Sequence, residues 1–280
     1  MRERIAQRDW RLIVSKPASG AWNMAVDEAI MTAYSRGFVL PTLRLYAWKP
    51  PCVSVGYFQK TEMEVDMDAC RREGVDVVRR ATGGRAVLHE DEVTYSVIVG
   101  EDVLPGSVLE TYMVLSRGLL EGLRVLGINA ELAPGRPSRS ASRGSTSACF
   151  DAPSFYEIVV DGKKAVGSAQ TRKGGVILQH GSIPTVFDAA KVSRLLKCKD
   201  ETERKKIERI LQKKAIGLYE ALGREVPLAS IMDAVAEGFR RGLHLRLVEQ
   251  SLTPLEEEIA RDLYEKKYST PEWNEKRIAN

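Results

Sequence analysis

The residue with the most chemical potential is Cys149, in the run S-A-C-F-D-A-P-S-F-Y-E-I-V-V-D-G-K-K-A-V-G-S-A-Q, residues 147 to 170. It ends a basic loop and is followed by strand-like sequence, a tight turn and the pair Lys163 and Lys164. A cysteine attacks as the thiolate, and a nearby ammonium lowers a thiol pKa. A lysine at the same place can also steady a developing oxyanion. The matching chemistry is acyl transfer, because an acyl-cysteine is a thioester that an amine can attack. An inert loop thiol beside two turn lysines fits the same residues, and residue types alone favour that plainer reading. Cys52, Cys70 and Cys198 lie within strand or helix patterns and read as packing or surface thiols.

A second stretch is R-R-A-T-G-G-R-A-V-L-H-E-D-E-V-T-Y, residues 79 to 95. Gly83 and Gly84 permit a tight bend and a close backbone approach to a ligand, with three arginines and His89 around it. A plain Gly-Gly turn with solvent-facing arginines explains the pattern equally well. The G-K-[ST] of a Walker phosphate loop is absent. His180, in Q-H-G-S-I, is a base or a pocket wall by type, although a strand histidine is more often structural.

These residues need elements to hold them. Residues 19–36 show helical apolar spacing with Ser19 as N-cap, and a second helix runs from about Ser107 to Leu126. Residues 63–73 fit a short helix. Strands are expected at 41–48, 52–57, 75–80, 92–99, 155–160, 163–169 and 176–183. Asp161-Gly162 marks a two-residue hairpin that pairs Lys164 with Val159. That register alone does not bring Cys149 to Lys164; the 139–154 loop has to fold back over the hairpin. Residues 133–147 read as a loop. From Asp188 the chain turns helical, with 199–214 as a solvated, ion-paired helix and further helices near 229–242 and 254–267. The expected class is α+β, a mixed sheet followed by a helical C-terminal part.

The chain has 280 residues, of which 44% are hydrophobic and 29% charged, with a net charge of +4. This is the composition of an ordinary globular protein and long enough for a substantial core. The mild charge argues against a dedicated nucleic-acid binder and suits transient docking of acidic proteins. No apolar run has the length of a membrane span and the N-terminus lacks a signal-peptide core, so a cytoplasmic location is expected. Four scattered cysteines without a C-x-x-C pair, and only three histidines, argue against a zinc site and leave free thiols.

Taken together, the stretches resemble the lipoate-protein ligase, octanoyltransferase and biotin-ligase superfamily. R-R-A-T-G-G-R-A-V-L-H resembles its arginine and glycine signature, and D-G-K-K-A-V-G-S-A-Q its lysine motif. The block from Cys149 to Ile183 is similar to octanoyltransferases of the LipM type, and the similarity runs from W-N-M-A-V-D-E to Y-S-T-P-E-W-N. The resemblance implies a lipoate/biotin-ligase-like catalytic domain over 1–250 and a C-terminal helical extension over 251–280 packed on it. It implies octanoyl transfer from octanoyl-acyl carrier protein to a lipoyl-domain lysine, for example on the glycine cleavage H protein, with no cofactor and no metal. Cys149 would carry the acyl group and Lys164 would orient its carbonyl. Arg80, Gly83, Gly84, His89, Gly167 and His180 would shape the acyl and phosphopantetheine pocket. Arg136, Arg139 and Arg143 are a separate candidate for docking acidic carrier domains. Two related chemistries stay open: ATP-dependent lipoate ligation, and a LipL-type amidotransfer between lipoyl domains. A non-catalytic module that binds carrier proteins is the alternative from outside enzymology.

Overall fold

The computed structural model describes residues 5–134 and 156–276. Strand β1 (Asp9–Val14) leads into helix α1 (Gly20–Ser35), then β2 (Thr42–Tyr46) and β3 (Cys52–Val55). Two short helices, α2 (Thr61–Glu64) and α3 (Met67–Glu73), precede β4 (Asp76–Arg79), β5 (Val87–His89) and the long β6 (Glu92–Gly100). Helix α4 (Val108–Val125) is followed by β7 (Glu131–Pro134), β8 (Tyr156–Val160), β9 (Lys163–Lys173) and β10 (Val176–Pro184). The remainder is mostly helical: α5 (Ala189–Leu195), α6 (Glu201–Lys214), α7 (Leu218–Leu222) and α8 (Leu228–Leu243). Strand β11 (Arg246–Glu249), α9 (Pro254–Leu263), a π-helical turn (Tyr264–Tyr268) and α10 (Pro271–Asn274) complete it.

The class is the expected mixed α+β. Eight strands form one sheet in the order β11-β1-β2-β6-β10-β9-β8-β7, parallel only across β11, β1 and β2. A small second sheet has the order β4-β3-β5. Four strands (β1, β5, β7 and β11) are not foreseen from local sequence; β5, β7 and β11 are short and lie at sheet edges, where pairing, not pattern, defines them, whereas β1 lies between β11 and β2. The helix expected at 63–73 is divided: α2 ends at Glu64, Val65 is extended, and the Asp66 carboxylate caps α3 by accepting from the Ala69 N–H.

Capping explains where the two long early helices start. Ser19 accepts from Trp22 N–H at the head of α1, and Ser107 with Glu110 forms a reciprocal capping box on α4. The large sheet then has two unlike faces, because alternate strand residues point to opposite sides. Leu43, Leu45, Val93, Tyr95, Val97, Ile158, Val166, Ile177 and Ile183 lie in the apolar core with Leu115 and Leu119 of α4 and Val235 and Phe239 of α8. Those helices pack so closely that a Cβ on Gly238 would fall 2.2 Å from the Gly122 nitrogen. The register sets Arg44 beside Ser96 and Ser96 beside His180, with Tyr46, Thr94 and Ser182 as the neighbouring row. That row faces α1 and the small sheet, and it is the polar face on which the site is built.

The C-terminal segment is tied to this side. Glu256 of α9 makes a buried ion pair with Arg11 at 2.6 Å. The Arg79 guanidinium donates to the carbonyls of Gly56, Gln59, Trp273 and Asn274, while the Trp273 indole donates to the Arg79 carbonyl. Arg79 therefore joins the loop after β3 to the segment around α10. No helix among the described residues is long and apolar enough to cross a membrane.

Candidate active site

A cavity with about 350 Å³ of empty volume, partly open to solvent, lies between the polar face of the large sheet and the small sheet. Arg80, His89, Gly167 and His180 line it, together with Trp48 and Ser54. Segments far apart in sequence converge there, a usual property of binding sites. Gly83 and Gly84 form the bend beside it. Gly84 has φ of 91°, and a Cβ on Gly56 would lie 2.0 Å from the Gly84 carbonyl oxygen, so the bend packs backbone to backbone on the end of β3.

Arg80 is the hub of this arrangement. Its Nη1 donates to the Ser54 carbonyl and hydroxyl at 2.9 and 3.0 Å, and its Nε to Thr82 Oγ1 at 3.2 Å. Its Nη2 donates to the carbonyls of Gly83 and Arg85 at 2.7 and 2.8 Å. All five N–H groups of the guanidinium are thereby directed into protein, and what they hold is the Gly83–Gly84 bend.

Two similar chains leave Arg80. In one, the Ser54 hydroxyl meets His89 Nε2 at 2.8 Å and His89 Nδ1 meets Glu92 Oε1 at 2.8 Å. In the other, the Thr82 hydroxyl meets His180 Nε2 at 2.6 Å and His180 Nδ1 faces Asp27 Oδ2 at 3.5 Å. The partners assign the tautomers: each ring is protonated at Nδ1, toward its carboxylate, and accepts a hydroxyl hydrogen at Nε2. His180 consequently has no unengaged nitrogen for base chemistry in this arrangement.

The carboxylates are held from several sides. Asp27 pairs with the buried Arg44 at 2.7 Å and accepts from Ser96 and Tyr46. Burial pushes its pKa up, but the Arg44 charge and the His180 and Arg44 hydrogen bonds outweigh that and leave it below the usual carboxylate value. Glu92 accepts from His89, Ser182 and Thr94; burial raises its pKa, and the His89 interaction and the hydroxyls reverse the direction. Burial lowers the His180 pKa despite Asp27, so the ring is neutral at neutral pH. The Trp48 indole donates to Thr94 at 2.7 Å and stacks on His89 with centroids 4.0 Å apart.

Lys164 reaches the same face through an irregularity. Val159 pairs with Lys164, but Ile158 pairs with Val166, so β9 contains one extra residue at this point. Such a bulge shifts the alternation. Val166 then enters the core with Ile158, while Gly167, opposite Ser182, falls on the side of Lys164 and Val159. Unbroken alternation would have placed Lys164 and Gly167, three residues apart, on opposite faces. Lys164 does not itself line the cavity; its buried Nζ lies 3.0 Å from Glu157 Oε1.

Cys149 and the arginines at 136, 139 and 143 lie outside the described residues. The other three thiols are described. Burial raises the pKa of each: well above the ordinary value for Cys52, to about 11 for Cys70, and upward for Cys198. Sequence reasoning missed Asp27, Ser54, Thr82 and Glu92. Asp27 left one trace, a carboxylate four residues after Asn23 on a helix whose remaining face is apolar.

This mixed sheet, with a cavity under an arginine-held Gly-Gly bend and a lysine on the neighbouring strand, has close relatives. Residues 19–240 match the lipoyl protein ligase A/B catalytic domain family. A bipartite lipoate protein ligase from Thermoplasma acidophilum superposes with a TM-score of 0.81 at 29% identity, over 98% of this chain and 99% of that one. A lipoate-protein ligase A bound with ATP gives 0.78 at 28% identity, over 96% and 100% of the two chains. Among curated proteins, octanoyltransferase LipM of Kyrpidia tusciae is 49% identical over 95% of this chain and 98% of its own length. That of Clostridioides difficile is 43% identical over 96% and 99%. The fold is that of a lipoyl protein ligase A/B catalytic domain. Within that class the chain belongs to the LipM octanoyltransferase family and is an acyltransferase of lipoate biosynthesis.

Proposed function

We propose that the octanoyl donor is octanoyl-acyl carrier protein and the acceptor a lysine of a lipoyl-domain protein such as the glycine cleavage H protein, with Cys149 as the intermediate carrier. The Cys149 thiolate attacks the donor thioester carbonyl, the carbon–sulfur bond to the carrier breaks, and the carrier thiol departs. The acceptor amine then attacks the new thioester. An amide forms, Cys149 leaves as thiolate, and the amine proton is released. The observation that carries this reading is the elimination among thiols. Burial raises the pKa of the three described cysteines above the ordinary thiol value, in a chain whose relatives are octanoyltransferases. A thiolate nucleophile therefore falls to Cys149.

In this scheme Lys164 orients the acyl carbonyl and stabilises its developing negative charge. Gly83, Gly84 and Gly167 give the acyl and pantetheine chain a close-packed wall. Arg80, His89 and His180 act on that wall from behind, by fixing the bend and the cavity lining. Residues 1–250 serve as the catalytic domain, with 251–280 as an extension packed on it. The enzyme is placed in the cytoplasm, where a reducing milieu keeps Cys149 free.

The ATP-dependent ligase reading has its own support, since the structural relatives include lipoate ligases, one of them bound with ATP. Incubation with octanoyl-acyl carrier protein and acceptor, with and without ATP, separates the two. Transfer without ATP is expected; a strict requirement for ATP refutes the transferase scheme. Supplying an octanoylated lipoyl domain in place of the carrier protein tests the LipL-type donor.

A further inference from the structure

Helix α6 bears a charged stripe that neither the fold nor the site uses. Its buried side is Ile207 and Leu211, which join the apolar cluster under the small sheet. Its acidic groups are largely committed near its start. Asp200 accepts from the Glu203 N–H, Glu203 accepts from the Lys199 N–H, and Glu201 pairs with Arg204. Further along, Glu208 accepts from Gln212. Lys205, Arg209 and Lys213 follow one another at intervals of four residues, all exposed, and none has an ion pair among the described residues. Lys206 is exposed beside them.

Like charges four apart on a helix repel and destabilise it. The helix dipole accounts for basic residues in the last turn only, so it explains Lys213 and not Lys205 or Arg209. The stripe is about 12 Å long at 1.5 Å per residue. It ends next to the site: Ala215, directly after α6, bridges Lys164, and the Ile216 N–H donates to the Lys164 carbonyl at 3.1 Å.

We infer that this stripe is the docking surface of the acyl donor, an acidic carrier protein whose carboxylates lie along the row of cations. The inference rests on the carrier-protein reading above. Charge complementarity of this kind steers encounter and register. The position of the stripe selects the donor over the acceptor. A carrier presents its acyl group at the end of a long thioester arm and has to dock at a distance from the reacting atoms. An acceptor lysine, with its short side chain, has to enter beside Lys164 itself.

The test is the triple variant Lys205→Gln, Arg209→Gln, Lys213→Gln, three exposed changes outside the catalytic machinery. Loading of Cys149 is followed by mass spectrometry with octanoyl-acyl carrier protein and, separately, with octanoyl-pantetheine; KM for the acceptor is measured in parallel. The variant is expected to raise KM for the carrier-bound donor about tenfold at low salt and to flatten its salt dependence. Loading from octanoyl-pantetheine and KM for the acceptor should stay at wild-type values. A carrier KM within roughly twofold of wild type, or a rise in the acceptor KM instead, overturns the inference. Wild-type enzyme that takes octanoate from pantetheine but not from the carrier overturns the donor reading and the docking surface together.

Discussion

Replacing Asp27 with Asn should be among the most damaging isosteric changes available in this protein. Asp27 holds the buried Arg44 at 2.7 Å, accepts from Ser96 at 2.8 Å and Tyr46 at 3.1 Å, and faces His180 at 3.5 Å. The Arg44 side chain is only 1% exposed, so loss of the carboxylate charge leaves a guanidinium with no solvent to compensate it. Breaking a buried pair from one side typically costs about 3–5 kcal/mol. Ser15 and Asn23 also accept from Arg44 at 3.0 and 2.8 Å, which favours the lower part of that range. At roughly 2–4 °C per kcal/mol for a chain of this size, the unfolding temperature should fall by about 6–12 °C for a loss near 3 kcal/mol. Thermal and urea unfolding at neutral pH measure it, with Arg44→Met and the double variant closing a cycle. The cycle should show a coupling above about 1.5 kcal/mol, because removing both partners leaves no orphaned charge. A cost below about 1 kcal/mol for Asp27→Asn, or additive single effects, refutes the claim that this pair anchors the polar face.

Two further outcomes are expected. Lys164→Met should lower octanoyl transfer by roughly 10²–10³ with the circular dichroism spectrum unchanged; near-normal transfer removes Lys164 from the chemistry. Stability should decline with acid in two stages. His180 has a folded pKa below its ordinary 6.5, so the unfolded chain takes up the proton first. Its contribution is full above about pH 6.5 and is lost as the pH falls through the folded value. Asp27 and Glu92, both depressed in the fold, add a further loss below the ordinary values of 3.8 and 4.5. Unfolding midpoints followed from about pH 8 to about pH 2 test this, and His180→Gln should flatten the first stage; an unchanged slope there contradicts the assignment.

What the sequence reveals of the site follows how local each feature is. The Ser19 cap, the Asp161-Gly162 hairpin, its Val159–Lys164 register and the Gly83–Gly84 bend depend on neighbouring residues, and each is visible in the chain. Arg80, His89 and His180 stand out by type. Their partners do not, because burial is decided by strands distant in sequence. Glu92, within H-E-D-E, reads as one of several surface acids until pairing with β10 buries it against Ser182. Ser54 and Thr82 look like ordinary strand and turn residues until Arg80 and the two imidazoles close on them. The bulge that turns Lys164 toward the cavity face is a property of the β8–β9 pairing and has no signature in β9 alone. The charged run at 199–214 is a further case: one ion pair, Glu201 with Arg204, is present among the described residues, but the exposed cations at 205, 209 and 213 form a row visible only once the helix is placed.

The role of Cys149 as carrier of the octanoyl group can be read directly. Enzyme mixed with octanoyl-acyl carrier protein, without ATP or acceptor, should form a stoichiometric adduct that peptide mapping places on Cys149. The adduct should disappear when a lipoyl-domain acceptor is added, as the octanoyl amide appears on its lysine. An adduct that maps to another residue, or Cys149→Ala enzyme that transfers octanoate at the wild-type rate, rules out Cys149 as the carrier.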